Sequence, residues 1–541
     1  MRFEVVRLLG GSEHALGPTE AEVYAEWCEE AARVAHRAGA YSAALDLQLR
    51  AIAQFGPVGW DANGDRMFEL SLRAAENALV VDRTQLVDQL LDTAWAHHPN
   101  ALQRVRALRL LGNRWWTRQE QSGGLAEMQS LLRELGERFP SRPGVAQVAR
   151  EYVVTRWAMR HRPADWFLTA RPLADEQVVA VLDTLLSGVH LAYTTEPLTH
   201  VALVLRGLRI TAQHGVSGSS AYFVAGYGLL TCGLGRQLEA GVAYGSAGMA
   251  LAERHGGAVR TMVCFAVNGF VRHWAEPLHT TIEPMLAEYR DGLQIGRGGY
   301  AHSGGTFAVL HSLLSNQPLP RVLDLADTMR AELDRLGERA FVQRLDIVRQ
   351  AAIDLTEGLQ GRAPLDGAAF ASSAWLASKA RRGELALIVH TLRAHVALAY
   401  GDYALAAEAV AAAAPHERTA PGEAIVGVHR FQLVLLRQLG HVRGHGRAAR
   451  RALAFLRRAA RANAHDYAHR VALIDAVRSG AFAHAAELAQ QHHHLADLAL
   501  AHRLAHARTA GSSPGPSAPA TGAAAALQAW GALGAAAAAH G

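Results

Sequence analysis

The feature that most constrains the fold is the helical spacing of apolar residues along nearly the whole chain, broken by short Gly-, Pro- or polar-rich turns. We find no convincing strand pattern of alternating apolar and polar residues. The stretch His214–Gly292 shows the helical pattern best, with three apolar segments in succession. Small residues on their predicted contact faces would let helix backbones approach closely: Ala225, Gly228, Ala243, Gly248 and Ala250. We therefore expect an all-α protein.

A short turn motif recurs along the chain in the form G-x-[YF]-x-x-A. Its copies begin at Gly39, Gly401 and Gly480, and each lies between two segments of helical spacing. Glycine permits the turn, the aromatic residue packs on the preceding helix, and alanine allows close contact. This is the pattern of tetratricopeptide (TPR) repeats. It predicts a right-handed superhelical array of helical hairpins, a TPR-like solenoid.

We expect four regions along the chain. We expect N-terminal TPR-like hairpins over 1–165, a central helical array over 166–365 and C-terminal TPR-like hairpins over 366–510. Region 511–541 opens with the flexible GSSPGPSAPATG and ends in an Ala-rich tail that contains Trp530. The pattern leaves open whether this tail docks as a last helix or frays.

Helical spacing predicts one helix over 367–381 and a single long helix over 482–507.

The sequence lacks the motifs of the common ATP-dependent enzymes. Its one lysine, Lys379, does not belong to a phosphate-binding loop or a kinase strand motif. Three cysteines lie far apart inside helical patterns, which favours buried thiols in a reducing compartment. We predict no enzyme, no cofactor, and no catalytic, cofactor-binding or metal-binding residue.

Histidine is abundant, with 28 residues, and could suggest a metal site. The pairs His441/His445 and His465/His469 have i, i+4 spacing, and three histidines are consecutive at 492–494. Placed on one helix, the triplet would point its rings in three directions. We therefore interpret these residues as surface histidines.

The largest charge feature is a stretch from Ala424 to His465 that contains no acidic residue. Its arginines are Arg430, Arg437, Arg443, Arg447, Arg450, Arg451, Arg457, Arg458 and Arg461. The simpler interpretation is the solvated face of an amphipathic helix. The alternative is a docking surface for an acidic partner or a phosphate backbone. Aromatic residues do not alternate with the arginines, which disfavours single-stranded nucleic acid.

The first residues, MRFEVVRLLGG, contain charges and an apolar run that is too short for a signal peptide. No window approaches the ~18 strongly apolar residues of a membrane span. We expect a cytoplasmic protein without membrane association.

Several segments resemble the central TPR-like region of large multidomain bacterial signalling proteins. The resemblance rests mainly on HGVSGSSAYFVAGYGLL from His214, on VRHWAEPLHTTIEPMLAEYRDGL from Val271 and on RANAHDYAHRVALIDA from Arg461. Weaker matches are FPSRP at 139–143, ARPLAD at 170–175, AYTTEP at 192–197 and QAWGAL at 528–533. In that family a serine/threonine kinase-like domain and a STAND-type ATPase precede the array, and a sensor histidine kinase often follows it.

This resemblance implies a regulatory array without its own catalytic residues, because the matched region of the family carries none. We predict a non-catalytic protein–protein interaction scaffold in bacterial signal transduction, with a kinase or STAND-type ATPase as a possible partner. One alternative is a detached fragment whose partner supplies the ATP chemistry. Another, less favoured, is a nucleic-acid or transcription-linked helper that uses the basic face Arg430–Arg461.

Overall fold

A computed structural model describes residues 6, 16–56, 58–81, 83–97, 99–117, 120–233, 237–294, 298–378, 383–509 and 518–540. Throughout these residues the regular structure is helical. The extended pairing consists of two isolated bridges, Pro172 with Val216 and Asp366 with Ala371. The all-α prediction is therefore confirmed for the described part of the chain, whereas the superhelical arrangement of the hairpins stays a prediction.

The chain divides into two compact units, residues 1–223 with 292–297 and residues 224–291 with 298–541. The predicted region boundaries near 165 and 365 fall inside these units. The helices of the first unit are Pro18–Arg37 (α1), Tyr41–Phe55 (α2), Val58–Val80 (α3), Thr84–Ala96 (α4), Ala101–Thr117 (α5), Gln121–Glu134 (α6), Val145–Ala158 (α7), Trp166–Thr169 (α8), Glu176–Thr195 (α9) and Pro197–His214 (α10).

The second unit contains most of the remaining helices, together with short 3₁₀ segments at Arg272–Trp274, Leu278–Thr281 and Ala414–Thr419. Helix Ser220–Gly233 (α11) starts in the first unit and continues into the second. The others are Leu238–His255 (α12), Gly257–Phe270 (α13), Ile282–Gln294 (α14), Gly298–Leu314 (α15), Leu319–Arg335 (α16), Arg339–Glu357 (α17), Ser372–Ala377 (α18), Gly383–Tyr400 (α19), Tyr403–Ala413 (α20), Ala424–Gln438 (α21), Gly446–Ala462 (α22), Ala464–Ser479 (α23), Phe482–Gln491 (α24), Leu495–Thr509 (α25), Ala518–Trp530 (α26) and Leu533–His540 (α27).

The three repeated turns form as predicted. Gly39, Gly401 and Gly480 have φ angles of 75°, 79° and 84°, in the left-handed region that favours glycine. Each glycine separates two consecutive helices: α1 and α2, α19 and α20, and α23 and α24. The alanines of the three motifs, Ala44, Ala406 and Ala485, are buried. The motif therefore identifies helical hairpins correctly.

The bounds predicted for the helices at 367–381 and 482–507 are wrong. The long C-terminal helix is interrupted at 492–494, where His493 has a left-handed φ of 57°. In the other region helix α18 covers only Ser372–Ala377. The chain before it forms a turn, because the buried Asp354 carboxylate accepts a hydrogen bond from the Leu365 N–H at 2.6 Å. Lys379 and residues 511–517 lie outside the described residues.

The Ala-rich tail docks rather than frays. Trp530 is fully buried, and its indole N–H donates to the Gln317 carbonyl at 2.9 Å. Helices α26 and α27 thereby belong to the packed second unit.

Helices α11 and α12 approach through glycine, as expected, but one predicted contact residue is misplaced. A Cβ added to Gly228 would lie 2.5 Å from the Gly241 carbonyl oxygen and 2.8 Å from the Gly245 nitrogen. Ala243, predicted on this face, is exposed, because it lies midway between Gly241 and Gly245 and thus on the opposite side of the helix. The backbones themselves meet at Gly228.

We predict that Gly228→Ala destabilises the second unit, because the new methyl group would meet backbone atoms that cannot rotate away. The free energy of unfolding, measured by urea titration with circular dichroism, should fall by about 1–3 kcal/mol. Gly299→Ala is the matched control, since a Cβ there meets nothing within 4 Å. Equal stability of both variants would contradict the close approach of the two helices.

Candidate functional site

The first two turns of α23, the turn before α25 and the first turn of α25 form a cluster of histidines and aspartates in the second unit. We call His465, Asp466, His469, His494 and Asp497 the His–Asp cluster. Asn463 starts α23 by accepting a hydrogen bond from the Asp466 N–H at 3.2 Å. Because residues four apart share a helix face, His465 lies above His469. The local sequence thus directs the cluster to one side of α23.

The Asp466 carboxylate joins three separate segments. Its Oδ2 accepts the Leu278 N–H at 2.8 Å and the Asn463 side-chain amide at 2.8 Å. Its Oδ1 lies 2.9 Å from His465 Nδ1 and 3.4 Å from His494 Nε2. The carboxylate therefore links α23 to the 3₁₀ segment Leu278–Thr281 and to the turn before α25.

The second carboxylate, Asp497, forms a buried ion pair. Its Oδ2 accepts from Arg470 Nε at 3.0 Å and from His469 Nε2 at 2.8 Å. The side chains of His469, Arg470 and Asp497 are all less than a tenth exposed. Burial of charged groups without a partner is costly, so the Arg470–Asp497 pair and the neutral His469 depend on one another.

His494 lies between the two carboxylates. Its ring stacks on that of His469, with centroids 4.2 Å apart. Its Nε2 lies 3.1 Å from the His465 carbonyl oxygen, and its Nδ1 lies 3.5 Å from the side-chain nitrogen of Asn316. The amide orientation of Asn316 is set by the Ala496 N–H, which donates to Asn316 Oδ1 at 2.8 Å.

The two aspartates of the cluster are ionised, whereas the buried His469 ring is neutral. Burial raises the pKa of Asp466, but hydrogen bonds from His465 and His494 outweigh it and hold that pKa well below its usual range. Burial likewise opposes ionisation of Asp497, but Arg470 and His469 keep its pKa low. Burial and the neighbouring His494 lower the pKa of His469 to about 3. At neutral pH the cluster thus contains two carboxylates and a neutral His469 ring.

Two further imidazoles border the cluster at the surface. The His492 and His279 rings lie with centroids 4.6 Å and 5.4 Å from that of His465. Partial desolvation, together with the His465 imidazole, lowers the pKa of both rings. The cluster thus reaches from the interior to solvent through His465, whose side chain is 26% exposed.

The interpretation of these histidines as surface residues is correct in part. His441, His445 and His493 are exposed, whereas His469 and His494 are each 1% exposed. The triplet 492–494 occupies a turn and not a helix, so its geometry differs from the expected one. The sequence does carry a signal for these buried positions. In both places an aspartate follows three residues after the residue that starts a helix: Asp466 after Asn463, and Asp497 after His494.

Two segments that lie far apart in the sequence meet at this cluster. Asn463 donates its side-chain amide to the carbonyl oxygens of His273 at 3.0 Å and Glu276 at 2.8 Å. The segment around His273–Leu278 is therefore held directly against the start of α23.

Helix α22 immediately precedes the cluster and is strongly amphipathic. Its apolar side is buried through Ala449, Ala452, Phe455, Leu456 and Ala459. The other side is what we call the arginine row: the exposed Arg447, Arg450, Arg451, Arg457, Arg458 and Arg461. Arg457 pairs with Asp475 at 3.1 Å. The row spans about 20 Å along the helix, at 1.5 Å per residue.

Arg430 does not belong to this surface, although the sequence placed it there. Its guanidinium pairs with Glu417 at 2.6 Å and lies 4.1 Å from the centre of the Phe455 ring. Arg430 is thus a packing residue beneath α22, and the exposed basic surface begins further along the chain.

The three cysteines are buried thiols, as predicted. Burial raises the pKa of the Cys232 and Cys264 thiols to about 12. Both therefore stay protonated at neutral pH, and neither is an activated nucleophile.

No known family model matches this sequence, and no curated protein matches it significantly. Among the helices in the described part of the chain, none combines the length and apolar character needed to cross a bilayer.

Buried histidines elsewhere make stability depend on pH. Burial lowers the pKa of His200, His273, His302 and His429 to about 4. In the unfolded chain these groups titrate near the ordinary histidine pKa of about 6.5. The contribution of these neutral rings to the free energy of unfolding is therefore complete above about pH 6.5 and is lost as the pH falls toward 4.

We predict that lowering the pH from 7 to 5 reduces the free energy of unfolding by several kcal/mol, measured by urea titration at each pH. His302→Leu should reduce this loss by about 2 kcal/mol, since one titrating group is removed. His302 packs against the rings of Tyr289 and Phe341, so leucine suits its surroundings. Equal stability of the original chain at both pH values would contradict the neutral, buried state of these rings.

Proposed function

We propose that this protein is a non-catalytic interaction module that binds an acidic segment of a partner protein through the arginine row of α22. The supporting observation is the row itself, Arg447 to Arg461, exposed on a helix whose opposite side is buried. No acidic residue interrupts the sequence between Ala424 and His465.

The chemistry of the row suits carboxylates. A guanidinium presents N–H donors in a planar fork that matches a carboxylate in two parallel hydrogen bonds. The exposed residues between the arginines are small, for example Ala448 and Ala454. An extended or helical acidic segment could therefore approach the guanidinium groups without a steric barrier.

Two observations favour a protein partner over nucleic acid. The aromatic residue of α22, Phe455, is buried, so the row offers no exposed ring on which a base could stack. In the first unit, helix α7 exposes apolar side chains, with Val145, Val153 and Trp157 at 73%, 64% and 65%. Exposed apolar surface of this kind is typical of protein interfaces.

The resemblance to bacterial signalling arrays supports a regulatory setting for this module. In that setting a kinase or STAND-type ATPase partner supplies the ATP chemistry, and this chain by itself binds no nucleotide tightly. Calorimetric titration with ATP and magnesium should show no tight binding. Saturable, tight ATP binding would contradict both the scaffold and the detached-fragment hypotheses.

The main test is binding of a labelled oligoglutamate peptide, measured by fluorescence anisotropy. We expect binding that weakens with salt, because exposed charges are screened. The variant Arg447→Gln/Arg451→Gln/Arg458→Gln should bind about tenfold more weakly, at roughly 0.5 kcal/mol for each exposed charge contact. All three side chains are exposed, so their replacement should change the fold little.

The matched control is Arg321→Gln/Arg335→Gln/Arg339→Gln, which removes the same charge from exposed positions on α16 and α17. It should bind the peptide like the original chain. Equal weakening in both variants would indicate a nonspecific charge effect and contradict the proposal. If the chain bound duplex DNA more tightly than oligoglutamate and the α22 variant lost that binding, the partner would be a nucleic acid and not a protein.

A further inference from the structure

We propose that His465, Asp466 and His494 form a binding site for a divalent transition metal ion such as Zn²⁺. The ligand atoms would be one ring nitrogen of each histidine and Asp466 Oδ1. Imidazole nitrogen and carboxylate oxygen are the donors that zinc takes in sites with three protein ligands and an open position. This site is independent of the arginine row and of any partner protein.

The distances fit such an ion. One ligand atom from each residue lies within 4.8 Å of the other two. Asp466 Oδ1 is 2.9 Å from His465 Nδ1 and 3.4 Å from His494 Nε2. Ligands of a tetrahedral zinc ion at 2.0–2.1 Å are about 3.3 Å apart. These two separations therefore lie on either side of the spacing expected for zinc ligands.

The position of the three residues suits a metal that enters from solvent. Asp466 and His494 are buried, whereas the His465 side chain is 26% exposed. A further imidazole on the solvent side is His492, which is half-buried, with its ring centroid 4.6 Å from that of His465. The fourth position can thus be taken by His492 or by water.

The carboxylate ligand is already held in place by its second oxygen. Asp466 Oδ2 accepts hydrogen bonds from the Leu278 N–H and the Asn463 amide, which leaves Oδ1 directed at the histidines. Such outer contacts orient a ligand before the metal arrives and reduce the entropy lost on binding.

The overlapping set of His469, His494 and Asp497 also brings its ligand atoms within 4.8 Å of one another, but it is a poorer site. Asp497 already accepts a hydrogen bond from the Arg470 guanidinium at 3.0 Å, and all three residues are buried. A divalent cation there would face the positive charge of Arg470 in a medium that screens it weakly. We therefore assign His494 to the site with Asp466 and not to the site with Asp497.

Asn316 controls how well His494 can bind the metal. Its side-chain nitrogen lies 3.5 Å from His494 Nδ1, an arrangement in which Nδ1 accepts and Nε2 carries the proton. Metal binding through Nε2 needs the other tautomer, with the proton on Nδ1 and an acceptor beside it. Asn316→Asp supplies that acceptor. Its φ of 57° is one that aspartate also adopts.

The test uses the full chain without an affinity tag, treated with a chelator and titrated with ZnCl₂ in a calorimeter. We expect one saturable site. Co²⁺ at this site should give the visible absorption bands of low-symmetry, four-coordinate cobalt. His465→Gln and His494→Gln should abolish the saturable binding, and Asn316→Asp should tighten it by about tenfold.

The control is His484→Gln, which removes an exposed histidine from the neighbouring helix α24 and should leave the titration unchanged. His465→Gln is the main variant because this side chain is partly exposed, so its replacement should affect folding least, which circular dichroism would verify. Absence of saturable binding in the original chain would overturn the proposal. Unchanged binding in a folded His465→Gln variant would also overturn it, since the metal would then occupy other histidines.

Discussion

The second unit depends on one buried carboxylate, that of Asp466. A charge in the protein interior is tolerated only when hydrogen bonds replace the water it has lost. Asp466 meets this requirement with donors from Leu278, Asn463 and His465, which come from two distant parts of the chain. Because each donor must stay in place for the charge to remain buried, the 3₁₀ segment and the start of α23 are fixed relative to one another.

Asn463 extends this constraint to the surface. It lies between the end of α22 and the start of α23, and its side chain contacts Asp466, the His273 carbonyl and the Glu276 carbonyl. The C-terminal end of the arginine row is thereby anchored to the buried network. A rigid base of this kind would hold the backbone of the row in place, which lowers the entropy that this chain loses when a partner binds. The proposed metal ion would strengthen the same junction from its solvent side.

Local chemistry in the sequence predicts the helices and the hairpins well. Gly39, Gly401 and Gly480 mark turns because the left-handed backbone there suits glycine, and this signal needs no knowledge of distant residues. The break at 492–494 was not predictable in the same way, since the apolar spacing continues through the three histidines. Its cause is the burial of His494 beside residues of another helix.

The candidate sites were harder to predict from the sequence than the helices. Leu278 and Asp466 are 188 residues apart, so no local pattern indicates that one donates to the other. Arg430 was grouped with the arginine row because its partner, Glu417, lies before the acid-free stretch that defined the row. The row on α22 itself was predictable, since the spacing of Arg447, Arg451 and Arg458 places them on one helix face.

The central claim, that Asp466 holds the second unit together, is tested most directly by hydrogen exchange at the Leu278 amide. In Asp466→Asn this N–H loses a charged acceptor, a change of about 1.5–3 kcal/mol, so its exchange should become roughly tenfold or more faster. Asp475→Asn, at an exposed aspartate paired with Arg457, should leave that exchange unchanged. If the Leu278 amide exchanges at the same rate in Asp466→Asn as in the original chain, the account is wrong.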